Sequence, residues 1–206
     1  MIKSYTELND QHIDVLKEIG NIGAGNAATS LGLMLNDDVS ISVPELKIED
    51  YNDVINIVGG PEEMIVAVMV NFYGEANGIV LFILSMNSAK SITDILVGKD
   101  EEETPILSEM KISAVKEIGN ILGSAYLGSI AELTGMSIDM SVPYIAVDMT
   151  GAILAAPIVE YGAADSKVMF IEERFTSSAT DLVSHVIMFT EMDSLRRIMN
   201  RLGLDI

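Results

Sequence analysis

Apolar residues recur every three or four positions near the start of the chain. This spacing places them on one face of a helix over residues 7–35, and we expect that face to be buried. The stripe consists of Ile13, Leu16, Gly20, Ala24, Ala27, Leu31 and Met34 or Leu35. The polar run Asn36-Asp37-Asp38 ends the helix, and the alternation over residues 39–43 predicts a strand that stops at Pro44.

Patterns of the same kinds continue to the end of the chain. Residues 64–72 and 78–84 predict a strand hairpin, and residues 87–97 predict a helix that closes at Gly98. In the second half, a helix over residues 108–133 and a strand over 137–142 precede an apolar stretch over 145–159, which we interpret as a short helix. Strands over 167–175 and 181–190 and a basic helix over 193–202 follow. Helix-strand-strand-strand-helix, twice, predicts an α+β fold in which helices cover an antiparallel sheet.

The chain contains an internal repeat. The sequence Lys-Glu-Ile-Gly-Asn-Ile occurs at residues 17–22 and again at 116–121, an offset of 99 positions. At the same offset, Ser-Val-Pro at residues 42–44 returns at 141–143. Matches at one fixed offset indicate two copies of one unit. We therefore predict a single domain over residues 1–206, with repeats of about 1–103 and 104–206 related by a pseudo-twofold axis.

The two long helices carry matching polar residues. On a helix of 3.6 residues per turn, Asp14, Glu18 and Asn21 fall within a sector of about 60° opposite the apolar stripe. The second helix has Ser113, Glu117 and Asn120 in the same sector. Solvated positions are expected to drift after a duplication, yet the Glu and the Asn are kept in both copies. These four residues are the candidate functional residues, and we expect both pairs on one exterior surface.

Both helices also contain glycines, each of which costs about 1 kcal/mol relative to alanine in a helix interior. Glycines on the inner face would permit close packing on the sheet, and small residues on the outer face would let another backbone approach. The residues are Gly20, Gly23, Gly25, Gly119, Gly123 and Gly128.

Glutamate and asparagine at this spacing suit one kind of chemistry. An amide cannot act as a general acid, base or nucleophile, but it donates and accepts hydrogen bonds at once, as the positioning of a water requires. In phosphoryl transfer, an amide side chain can orient the attacking water. The glutamate could pair with a lysine of a partner. One Glu and one Asn make a poor metal site, so we predict no metal here, and the substrate protein would supply the rest of the reaction centre.

The composition limits the kinds of partner that the chain is expected to bind. The formal net charge of −19 argues against nucleic acid and against an anionic membrane surface, and favours a partner that presents Lys or Arg. The absence of cysteine excludes disulfides and thiolate chemistry. No apolar signal segment starts the sequence and no run is long enough for a membrane span, so we expect a soluble cytoplasmic protein.

The doubled motif resembles the CheC/CheX/FliY family. The resemblance lies in Glu-Ile-Gly-Asn-Ile-Gly-Ala-Gly-Asn-Ala-Ala from Glu18, in the second Glu-Ile-Gly-Asn from Glu117, and in the prolines that follow each Asn at the same interval, Pro44 and Pro143. It implies a phosphatase of the phosphorylated chemotaxis response regulator CheY. Two copies of the motif are more similar to CheC than to CheX.

The resemblance also implies roles and partners. Glu18 or Glu117 would pair with the active-site lysine of CheY, Asn21 or Asn120 would align water for in-line attack, and Asp14 and Ser113 would support substrate binding. The chain would need no cofactor of its own, since Mg²⁺ would belong to CheY. It would act as a monomer and also bind the receptor deamidase CheD.

We expect the stretch around residues 147–153 to interrupt the repeat and to provide the CheD contact, with Asp148 as the candidate residue; a packed helix edge is the structural alternative. Two other functions stay open. One is a non-catalytic module that sequesters phospho-CheY or CheD, and the other is a structural component of the flagellar switch.

Overall fold

The computed structural model describes residues 4–42, 45–100, 107–161, 167–178 and 181–204, so Pro44 and the predicted boundary at 103–104 lie outside the described residues. After a 3₁₀ turn at Tyr5–Glu7, the first half consists of α1 (Asp10–Leu35), β1 (Ser40–Ile41), β2 (Glu45–Asp50), α2 (Tyr51–Ile57), β3 (Met64–Gly74), β4 (Gly78–Ser85) and α3 (Met86–Val97). The second half consists of α4 (Glu109–Thr134), β5 (Ile138–Met140), β6 (Tyr144–Met149), α5 (Thr150–Tyr161), β7 (Lys167–Thr176), β8 (Asp181–Thr190) and α6 (Met192–Arg201).

The first half contains one strand and one helix more than predicted, and the second half contains one strand more. In the first half these are β2 and α2, and in the second half the stretch over residues 145–159 divides into β6 and α5. Strands β2 and β6, and the first residues of α2 and α5, lie 99 positions apart. The stretch therefore continues the repeat, and the prediction that it interrupts the repeat is wrong. The α+β class, the antiparallel sheet and the two repeated units are confirmed.

All strands belong to one antiparallel sheet, in the order β1–β7–β8–β4–β3–β5, with β2 also on β7 and β6 also on β3. Strands β4 and β8 are central, with Leu81 opposite Ile187. Exchanging the halves exchanges β4 with β8 and β3 with β7, and leaves the order unchanged. The pseudo-twofold axis thus passes between β4 and β8. Each half supplies edge strands to the other, because β2 pairs with β7 and β6 pairs with β3.

Helices cover both faces of this sheet. Helices α1, α3, α4 and α6 pack on one face, against alternate strand residues such as Val68, Phe82 and Val186. Helices α2 and α5 cover the other face, where Val54 and Leu154 are buried. The two long helices α1 and α4 also contact each other, and so lie side by side in one outer layer. No helix in the described ranges is long and apolar enough to cross a bilayer.

Glycines let α1 and α4 pack closely. A Cβ atom at Gly23 would lie 2.8 Å from Cδ1 of Tyr126 on α4, and a Cβ atom at Gly119 would overlap Val68 of β3. By contrast, Gly25 and Gly128 are exposed, and a Cβ atom at either would meet no other atom within 4 Å. The helix glycines therefore agree with both expectations. The inner ones allow close packing, and the outer ones leave the helix surface free of side chains.

Candidate functional site

Helix α1 presents Glu18 and Asn21 to solvent, while residues of its inner face such as Leu16 and Ile19 are buried. The start of the helix is fixed by Asn9, whose Oδ1 accepts a hydrogen bond from the His12 N–H at 3.0 Å. The Asn9 N–H donates in turn to Nδ1 of His12 at 3.1 Å. This reciprocal cap satisfies free N–H groups of the first turn and gives His12 a structural role. In the folded chain, Glu18 and Asn21 therefore lie on the outer side of α1.

Helix α4 carries the second pair. Glu117 is exposed, as Glu18 is, but Asn120 is half-buried. Asn120 lies in a groove of about 400 Å³ between the two long helices, which is also lined by Ser124 and Gly128 of α4 and by Asn26 and Ser30 of α1. The first copy exposes its asparagine on the open helix surface, whereas the second places it at a groove wall. Both pairs are accessible to solvent.

The two helices are joined by a direct hydrogen bond. Nδ2 of Asn26 donates to Oγ of Ser129 at 3.2 Å, and Ser129 also donates to the backbone oxygen of Ala125 at 2.7 Å. The close contact of Gly23 with Tyr126 lies along the same seam. The seam holds the outer faces of α1 and α4 next to each other, so the two Glu-x-x-Asn pairs share one surface of the molecule.

The supporting positions, Asp14 and Ser113, have different partners in the two copies. Both are exposed, and a carboxylate oxygen of Asp14 lies 3.4 Å from Nζ of Lys17. Ser113 has no charge and donates its hydroxyl to the backbone oxygen of Glu109 at 3.0 Å. Aspartate at this position therefore adds a negative charge beside Glu18 on α1, and serine leaves the equivalent position of α4 uncharged.

These side chains limit the chemistry of the surface. They offer a carboxylate, an amide and a neighbouring ammonium, but no histidine or thiol nucleophile. Within the described residues, no three His, Cys, Asp or Glu side chains are placed to hold a metal ion. Such a surface can orient a water and pair with charges on another protein.

The structure does not bring Asp148 to this surface. Asp148 is exposed on β6 opposite Ile65 of β3, and its Oδ1 accepts a hydrogen bond from the Met149 N–H at 2.7 Å. Strand residues alternate between faces, and Ala146 packs with the core under α2 and α5. Asp148 therefore belongs to the face opposite α1 and α4. Pro143, buried between β5 and β6, has a position in the chain turn rather than in the Glu-Asn surface.

The sequence patterns miss a buried carboxylate beneath α1. Glu173 of β7 is 1% exposed, and neither of its carboxylate oxygens has a hydrogen-bond partner. Burial raises the pKa of Glu173 to about 8. The residue opposite, Ser184 of β8, is also buried with an unpaired hydroxyl. One feature of the sequence could have predicted this burial. Glu172 and Glu173 are consecutive in a strand that is covered on both faces, so one of the two must face a core.

The pseudo-twofold axis shows that Glu173 replaces an apolar residue. Gly20 of α1 contacts Ile171, and Gly119 of α4 contacts Val68, so these two strand residues are equivalent. Two residues further along, Glu173 opposite Ser184 corresponds to Val70 opposite Val80. The first half keeps an apolar pair where the second half carries two polar groups.

Comparison with known proteins finds relatives that share the segments carrying this surface. The CheC-like family matches the chain twice, over residues 12–48 and 110–146, and the two segments contain the two Glu-x-x-Asn pairs. The sequence thus resembles the CheC-like family in both of its halves. It is 27% identical to the CheY-P phosphatase CheC of Bacillus subtilis, over 97% of each chain. It is also 29% identical to the flagellar motor switch phosphatase FliY of the same organism, over 70% of this chain and 38% of that protein.

Solved structures give the same fold. The structure of Thermotoga maritima FliY matches with a TM-score of 0.77 and 25% identity, covering 96% of this chain and 98% of that chain. The FliM middle domain from H. pylori matches with a TM-score of 0.71 at only 9% identity, covering 94% and 99%. The likeness to FliM shows the fold alone. This CheC-like architecture therefore occurs in proteins that share almost none of this chain's sequence.

Proposed function

We propose that this chain hydrolyses the aspartyl phosphate of the phosphorylated response regulator CheY. The observation that carries the proposal is that a Glu-x-x-Asn pair is accessible to solvent on each of two neighbouring helices. Relatives named as CheY-P phosphatases support the same substrate.

The asparagine of each pair positions the nucleophile. With α1 or α4 laid across the reaction centre of CheY, Asn21 or Asn120 holds a water in line with the phosphorus–oxygen bond of the aspartyl phosphate. The water oxygen forms the new bond to phosphorus, the aspartate carboxylate leaves with the electrons of the broken bond, and the water's protons pass to the phosphate product and solvent. Since positioning supplies much of the rate in phosphoryl transfer, an amide without a useful pKa is sufficient.

The glutamate of each pair anchors the partner. Glu18 and Glu117 lie one turn before the asparagine and are exposed, so each can pair with a lysine at the reaction centre of CheY. Any Mg²⁺ in the reaction belongs to the phosphorylated partner. This division explains why the surface has carboxylate and amide groups but no nucleophile of its own.

The decisive experiment measures the decay of phospho-CheY with the chain in stoichiometric deficit. We expect more than one CheY to be dephosphorylated per molecule, and we expect Asn21→Ala and Asn120→Ala each to lower the rate. The double variant should lose the activity and keep the circular dichroism spectrum of the folded chain. Full activity in the double variant would contradict the water-positioning role. Unchanged or slowed decay with the unaltered chain would instead identify a module that sequesters phospho-CheY.

A second proposed interaction is with the deamidase CheD, on the opposite side of the sheet. Strand β6 pairs with β3 on one side only among the described strands, and Tyr144, Asp148 and Met149 are exposed along it. An exposed edge strand with apolar residues is a suitable surface for another chain. Tyr144 and Asp148 belong to the sheet face opposite α1 and α4, so CheD bound through them would leave the Glu-Asn surface open.

A further inference from the structure

A lysine is repeated beside each Glu-Asn pair. Aligned at the 99-residue offset, α1 and α4 share three polar residues that lie outside the core in both copies: Lys17 and Lys116, Glu18 and Glu117, Asn21 and Asn120. The other polar positions differ, or are buried in one copy as Ser129 is. The duplication has therefore kept a cation together with the amide and the carboxylate.

Helix geometry puts this cation next to the amide. Lys17 and Asn21, like Lys116 and Asn120, are four residues apart, and side chains at this spacing are neighbours about 5–6 Å apart at Cβ. The longer side chain of the lysine can follow whatever the amide contacts. Glu18 is the residue after Lys17, and adjacent residues on a helix do not face each other. The glutamate therefore leaves the ammonium available to a third group.

The charge of the surroundings makes this ammonium distinctive. The chain has 12 Lys and Arg against 31 Asp and Glu. Helices α1 and α4 hold one further lysine, Lys111, which is buried and paired with Asp94 at 2.5 Å and Asp100 at 2.9 Å. Lys17 and Lys116 are thus the exposed cations of the two long helices. Each lysine is therefore placed to contact an anionic group of the partner that lies beside the neighbouring asparagine.

We propose that Lys17 and Lys116 contact the phosphoryl oxygens of the substrate and stabilise the charge of the transition state. The proposal rests on the phosphatase function proposed above. The group that lies beside the asparagine during hydrolysis is a phosphoryl group, whose oxygens carry negative charge throughout the transfer. A nearby cation stabilises that charge most when the docked partner excludes water. The lysine forms no covalent bond, and the bonds made and broken are those of the hydrolysis itself.

The two copies differ in how free the lysine is. Asp14 lies 3.4 Å from Lys17 and competes with an external anion for its charge. At the equivalent place Ser113 is neutral, and Lys116 has no ion-pair partner among the described residues. The proposal therefore ranks the sites: Lys116 is the more effective cation, and the aspartate at position 14 restrains the first site.

Single-site proteins test this ranking. Asn120→Ala isolates the first site and Asn21→Ala isolates the second. In the second-site protein, we expect Lys116→Gln to lower kcat by roughly three- to tenfold and Lys116→Arg to retain most of the rate, since charge is what matters. Exchanging the residues at positions 14 and 113 should change the two dephosphorylation rates in opposite directions. Asp14→Ser should raise the rate of the first site, and Ser113→Asp should lower the rate of the second. The matched control is Lys47→Gln, an exposed lysine on β2 paired with Glu45 at 3.1 Å, which should leave both rates unchanged.

The outcomes separate the two proposals. If the unaltered chain fails to dephosphorylate CheY, the proposed function is wrong. If it is active but Lys116→Gln keeps the kcat of its parent, the lysine has no role in turnover and the inference is overturned. A rise in KM alone, with kcat intact, also overturns it, because it assigns the lysine to docking rather than to the transition state.

Discussion

The buried carboxylate of Glu173 predicts that the chain loses stability as pH rises. Glu173 faces the core beneath α1 with no hydrogen-bond partner, so its charged form is costly there. Burial raises the pKa of this carboxyl from 4.5 to about 8. Between these values, the folded chain holds a proton that the unfolded chain has released. The free energy of unfolding therefore falls with increasing pH across this window.

The size of the effect follows from proton linkage. The stability associated with the neutral carboxyl is fully present below pH 4.5 and is lost as pH rises to about 8. The slope is about 1.4 kcal/mol per pH unit, which gives a loss of up to about 5 kcal/mol over the whole window. Small domains have a total stability of about 5–15 kcal/mol, so Glu173 alone can decide whether the chain stays folded at alkaline pH.

Two variants and one titration series test this prediction. Glu173→Gln removes the titrating group at nearly constant size, and Glu173→Val installs the residue found at the equivalent position, Val70. Urea unfolding followed by circular dichroism, from pH 5 to pH 9, gives the free energy of unfolding of each protein. We expect both variants to gain several kcal/mol relative to the unaltered chain between pH 5 and pH 8. His185, whose pKa burial lowers, is present in all three proteins and cancels in the difference. A difference that does not change with pH would refute the reasoning.

The remaining predictions concern partner binding. Replacing both Glu18 and Glu117 with Lys should abolish binding to beryllofluoride-activated CheY, because an attraction becomes a like-charge repulsion, and raised salt should weaken binding of the unaltered chain. Replacing both asparagines with Ala should leave most of that affinity, and normal affinity of the Glu→Lys protein would exclude the anchoring role. Asp148→Lys should weaken CheD binding in a pull-down and leave phospho-CheY decay unchanged. Asp139→Lys, exposed on β5, is the control, and equal binding by both variants would exclude Asp148 from the contact.

The long elements are predictable from sequence because their patterns are local. Helix α4 and strand β8 lie within a residue of their predicted bounds, and α1 begins three residues later than predicted. Strand β2, with the sequence Glu-Leu-Lys-Ile-Glu-Asp, has only two apolar residues, Leu46 and Ile48, and an alternation this short is a weak signal. It is a strand because β7, more than a hundred residues away, pairs with it along its full length. A pairing partner so distant in the chain cannot be recognised from the few residues around the strand itself.

Some features of the candidate site can also be predicted from local sequence patterns, and others cannot. The exposure of Glu18, Asn21 and Glu117 agrees with the helix periodicity. Asn120 lines a groove together with Asn26 and Ser30 of the other helix, and this groove requires the packing of α1 on α4. Glu173 could not be assigned either, because the face that a strand residue occupies follows from register and covering helices, and charged residues are rarely buried.

The two halves share a fold but support their polar surfaces differently, and the differences favour the second copy. Helix α4 rests on β3, where Val70 is apolar, whereas α1 rests on β7, where Glu173 leaves unpaired polar atoms in the core. Asn120 lies in a groove formed with α1, which can exclude water from a docked phosphoryl group better than the open surface around Asn21. Lys116 has no neighbour like Asp14. Packing, access to water and charge thus act in the same direction, so the Asn120→Ala variant should lose more phosphatase activity than the Asn21→Ala variant.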